Sequence, residues 1–107
     1  MKCRNGDIWL IKYFYEEDGL KFKVRPMLVL NDAAYELIGL KMTSAPPRDN
    51  FEYPIIEWPE AGLDRPTTIR TSKSVPLPDK ALIRKLGNLQ QQDMLNFLEK
   101  RKEYFNS

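Results

Sequence analysis

Arg25 and the pair Thr43-Ser44 are the residues of this 107-residue sequence whose types could act together on a phosphate. Arg25 lies in KVRPMLVLN (residues 23–31), where it precedes Pro26 and the apolar run Met27-Leu28-Val29-Leu30. That run has the length and branched content of a strand buried on both sides, and a proline fits at such a strand's first residue or on its edge. Arg25 is therefore expected at a mouth. A guanidinium held on the rim of a rigid sheet presents a planar fork to a phosphate or a carboxylate. Thr43 and Ser44 end a second candidate strand in LKMTSAPP (residues 40–47), two hydroxyls just before a proline break. If the two strand ends meet, a guanidinium and a hydroxyl share one site. The competing reading makes Arg25 a structural arginine paired with a neighbouring acid, and its own stretch taken alone favours that.

Composition narrows the chemistry. The chain has no histidine and one cysteine, Cys3. Serine-histidine and cysteine-histidine mechanisms are thereby excluded, as are an internal disulfide and a zinc site of the usual nitrogen and sulfur ligands. No metal or cofactor is expected. A net charge of +2, from 17 basic and 15 acidic residues, is too mild for a protein that coats nucleic acid, so any such site must be a local patch. No apolar run approaches the roughly 20 residues of a membrane span, and MKCRNGDIWL lacks a signal peptide's apolar core. A cytoplasmic, unprocessed chain is expected, with residues 1–107 forming a single domain.

The elements that would position these groups follow from pattern. Asp7 to Tyr15 reads as a first strand, with Trp9 and Ile11 pointing one way. The polar turn Glu16-Glu17-Asp18-Gly19 leads through Leu20 to Val24 into the central strand, making an antiparallel hairpin. Asn31-Asp32 turns the chain again, and Tyr35 to Met42 supplies a third strand in which Gly39 marks a bulge. Five prolines between Ala45 and Pro66 forbid a helix and permit a short strand such as Phe51 to Ile56. Thr67 to Val75 reads as another strand, and Asp79 to Leu86 as a short helical turn. Gln91 to Phe105 is a helix with Met94, Phe97, Leu98, Arg101 and Phe105 on its packing face. Gln90 is a poor N-cap, so the first turn frays or borrows Asp93. The expectation is a mainly β (α+β) fold: a small, strongly bent sheet closing toward an SH3-like barrel, with a C-terminal helix.

In that order, NGDIWL, KVRPMLVLN, KMTSAPP, AGLDRPTTIRTSK and LIRKLGNLQQQDMLNFL resemble the PemK/MazF family of toxin endoribonucleases over nearly the whole chain. The resemblance implies a PemK-type barrel, a homodimer, metal-independent cleavage of single-stranded RNA at short sequences, and neutralisation by a cognate antitoxin. It carries the family's functional arginine to Arg25 and its functional threonine to Thr43, with Ser44 beside it. The loop before Arg25 departs from the family's glycine-rich, basic character, Met42 stands where proline is frequent, and Thr67 where serine is. Lys21, Lys23, Lys41, Arg48, Arg65, Arg70 and Lys73 would grip RNA phosphates, and Phe22, Phe51 or Tyr53 would offer faces for stacked bases. For any one of them, a solvated surface position or core packing is the ordinary alternative; Trp9 and Trp58 read first as core or interface. A different outcome for the same barrel is a toxin that poisons DNA gyrase by binding, or an inactive antitoxin-binding module. A peptide-binding SH3-like adaptor is a third.

Overall fold

The computed structural model of the chain describes residues 3–14, 21–31 and 36–107. The acidic turn at Glu16 to Gly19, the turn at Asp32 and the expected strand start at Tyr35 lie outside them. Among the described residues, six strands form one sheet in the order β4-β5-β3-β2-β1-β6. They are β1 (Asp7–Phe14), β2 (Phe22–Asn31), β3 (Leu37–Thr43), β4 (Tyr53–Pro54), β5 (Thr68–Pro76) and β6 (Leu82–Asn88). All pairings are antiparallel. A 3-10 turn (Asp79–Ala81) precedes β6, and the helix α1 (Gln91–Phe105) closes the chain.

The central strand is buried on both faces because its apolar residues alternate between two cores. Leu28 and Leu30 join Ile8, Leu40, Ile69 and Phe97 beneath the helix. Met27 and Val29 join Trp9, Ile11, Leu77 and Leu82 on the other face. Pro26 is interior to β2 rather than at its start, opposite Leu10 of β1. The β2–β3 ladder ends at Met27↔Lys41, so at Pro26 the strand has lost one neighbour and no amide donor is needed on that side. Gly39 pairs regularly with Val29 and Val75. It is required by packing instead of by a bulge, since a Cβ there would stand 2.9 Å from the Met27 sulfur.

Two local expectations give way to tertiary contacts. Only Asp79–Ala81 is helical in the stretch read as a helical turn; from Leu82 the chain becomes an edge strand, because β1 offers it a ladder. The helix has the expected bounds, yet Leu98 and Phe105 are exposed (41% and 63%), while Phe97 and Asp93 are buried. The helix is rotated so that Asp93 faces inward. Its carboxylate caps no helix N-terminus of its own; it accepts hydrogen bonds from the Tyr53 hydroxyl (2.5 Å) and the amides of Ile56 (3.0 Å) and Glu57 (2.9 Å). Burial and this carboxylate push the Tyr53 hydroxyl's pKa up to about 12. The turn so anchored starts the segment that returns past β6, where Gly62 adopts φ +91°. A Cβ on Gly62 would lie 2.3 Å from the Leu86 carbonyl oxygen, and one on Gly87 2.1 Å from that of Ala61. Backbone thus meets backbone near the open ends of the sheet, which curls it toward a barrel.

Candidate functional site

Where β2 and β3 part, an open groove of about 780 Å³ forms. Arg25 and Thr43 lie two residues beyond the last β2–β3 pair, one on each strand, and both line this groove together with Ser44. The Arg25 side chain is exposed, and its guanidinium donates to the Val24 carbonyl (3.0 Å). The Thr43 hydroxyl accepts from the Ala45 amide (3.1 Å), which holds its oxygen at the strand's end and leaves its own proton to be donated elsewhere. Ser44 is exposed beside it. The structural alternative for Arg25 finds no support among the described residues, where no carboxylate pairs with it.

The opposite wall is the return segment and β6. Gly62, Leu63, Asp64, Arg65 and Thr67 line one side, Arg84 and Leu86 the other, with Leu10 of β1 between. Thr67 is buried and donates its hydroxyl to the Arg65 carbonyl (2.9 Å), shaping the turn. Asp64 pairs with Arg65 at 3.2 Å, and that guanidinium holds its carboxyl below the usual value. Among the described residues three guanidinia and one carboxylate line the groove, a positive balance, and the aliphatic side chains between them compete for none of their donors.

Of the residues expected to grip phosphate, Arg65 lines this groove and Lys21, Lys23, Lys41, Arg48, Arg70 and Lys73 do not. Arg48 and Arg70 are both drawn to the buried Glu52, at 3.5 and 3.3 Å, where they hold the proline-rich segment to β5. Lys41 lies over the Tyr13 ring at 5.3 Å. The aromatics are elsewhere too: Phe51 packs edge-on against Tyr104, Tyr53 against Phe97, and Phe22 carries the Lys12 ammonium on its face. Trp9 is core. Arg84 was missed by pattern because its stretch reads as helical: Leu82-Ile83 and Leu86 flank Arg84-Lys85 without the alternation of a strand.

Residues 4–105 match a family model described as PemK-like, MazF-like toxin of type II toxin-antitoxin system. Among solved structures the chain is similar to Mycobacterium tuberculosis toxin MazF-mt6, with a TM-score of 0.74 at 18% identity over 94% of this chain and 96% of that one. At that identity the likeness is one of fold. No curated protein matches the chain.

Proposed function

The chain belongs to the PemK-like, MazF-like toxins of type II toxin-antitoxin systems, and from that premise we propose that it is a sequence-specific, metal-independent endoribonuclease acting on single-stranded RNA. The observation that carries the reading is the convergence of Arg25 with Thr43 and Ser44 in one open, positive groove. The nucleophile is the substrate's own 2′-hydroxyl, which forms a bond to phosphorus as the bond to the 5′-oxygen breaks. The products are a 2′,3′-cyclic phosphate and a 5′-hydroxyl, and DNA, lacking the nucleophile, is not cut.

As the five-coordinate phosphate forms, negative charge grows on its non-bridging oxygens. Arg25 supplies a charged fork and Thr43 a neutral donor to those oxygens, both held by sheet ends. Ser44 is within the same lining and serves as a further donor. The role of Arg25 is electrostatic, and Asp64, kept acidic by Arg65, is a weak base. The toxin acts as a cytoplasmic homodimer, and its cognate antitoxin silences it by laying an acidic, extended segment over the groove.

The test is incubation of long single-stranded RNA with the protein, with and without EDTA. Discrete fragments bearing cyclic-phosphate ends are expected in both, and Arg25→Ala is expected to cut about a hundredfold more slowly, the cost of one transition-state donor. Intact RNA, or an Arg25→Ala variant of undiminished rate, overturns the reading.

A further inference from the structure

We propose that Arg84 binds the RNA strand at a phosphate flanking the one that is cleaved, and so sets how the strand lies across the groove. The inference rests on the ribonuclease reading. Its basis is the position and pairing of the β6 guanidinium.

Leu10 of β1 pairs with Pro26 on one side and with Arg84 on the other, so β1 separates Arg84 from the Arg25 strand. Thr43 is on β3, one strand farther. Two paired interstrand spacings of roughly 4.8 Å put about 10 Å of sheet between the Arg25 strand and Arg84, and Thr43 lies farther still, where β2 and β3 have parted. A single phosphate hydrogen-bonded to the short threonine side chain does not span that width, whereas the next phosphates of the same strand do.

Local structure aims the side chain. The β1–β6 register shifts on both sides of the pair Arg84-Lys85, one extra β6 residue at each step. Such bulges redirect side chains and occur preferentially beside functional sites. Here they set Arg84 opposite the groove-lining Leu10, and strand alternation turns Lys85 the other way. Lys85 pairs with the buried Asp7 at 3.4 Å, and Arg84 lines the groove.

Charge then selects the ligand class. Arg65, Arg48 and Arg70 each have a carboxylate. Arg84 is exposed and has no acid partner among the described residues, and the same holds for Arg25. Two such guanidinia face one groove across Leu10, an arrangement that repels itself until a polyanion enters.

The experiment is RNA binding as a function of salt, with cleavage followed in parallel, for the native protein and for Arg84→Gln. The exposed position predicts an unchanged urea midpoint. On long single-stranded RNA the variant should lose about tenfold in affinity, with a slope of log K against log salt shallower by about 0.7 for one lost phosphate contact, and kcat at saturation should be unchanged. Oligomers carrying one uncharged methylphosphonate then locate the contact: neutralising a flanking phosphate should weaken the native protein and leave Arg84→Gln indifferent, a non-additive cycle. An unchanged salt slope, a fallen kcat, or non-additivity at the scissile phosphate overturns the inference. If the native protein binds RNA with the expected slope difference but never cuts it, the ribonuclease reading fails while the phosphate grip of Arg84 stands.

Discussion

The groove's far wall depends on two backbones touching where no side chain intervenes, and Gly87→Ala tests this directly. The new Cβ would lie 2.1 Å from the Ala61 carbonyl oxygen and 3.2 Å from the Gly62 Cα. Both neighbours are backbone, so no rotamer can relieve the clash. Reaching ordinary carbon–oxygen contact requires the return segment and β6 to part by roughly 1 Å, an overpacking that costs about 1 to 3 kcal/mol. Gly62 to Thr67 and Arg84 would move with it, because they are built on the two backbones being separated. Arg84 and this wall hold the RNA strand while Arg25 and Thr43 stay on β2 and β3, so cleavage at subsaturating RNA should fall about tenfold, as for loss of the Arg84 contact. Gly39→Ala is the control: its Cβ meets the flexible ends of Met27 and Leu77 at 2.9 to 3.2 Å, on the face of the sheet away from the groove. Urea unfolding and RNA cleavage at subsaturating RNA should therefore separate the two variants. Both lose stability, and only Gly87→Ala loses cleavage at a denaturant-free temperature where it is fully folded. A Gly87→Ala protein with native stability and a native rate would refute the reasoning.

Two further outcomes follow from the buried carboxylate of the helix. Asp93→Asn keeps one oxygen for Tyr53 and Ile56 and turns an amide donor toward the Glu57 N–H, so it should cost about 2 to 3 kcal/mol in urea unfolding at an unchanged m-value; a loss under about 0.5 kcal/mol would count against this hydrogen-bond assignment. The raised Tyr53 pKa gives the second. Below the unfolded value near 10 both states keep the proton and stability is at its full level. As pH rises toward 12 the unfolded chain ionises first and stability falls, by at most about 1.4 kcal/mol per pH unit. Urea midpoints from pH 8 to 11 should thus decline more steeply for the native protein than for Tyr53→Phe; equal declines would show that this hydroxyl does not titrate as its surroundings dictate.

What the sequence by itself determined was local. The unbroken apolar run Met27 to Leu30 specifies a strand with two buried faces, and Pro26 next to Arg25 marks the place where that strand loses a neighbour. The uninterrupted run of helix-compatible residues from Gln91 to Phe105 specifies the helix's bounds. Only the tertiary structure decided which way that helix faces, because one carboxylate satisfying three donors outweighs the apolar contacts that periodicity counts. It likewise turned LIRKL into a strand, since an edge ladder on β1 is a partner distant in sequence. The same cause governs the charges. From composition Arg48, Arg65, Arg70 and Arg84 are equivalent; in the fold, Glu52 and Asp64 take the first three as partners and Arg84 is turned into the groove by its bulges. A guanidinium's role is set by the nearest anion, and nearness in space is what a chain of residue types does not record.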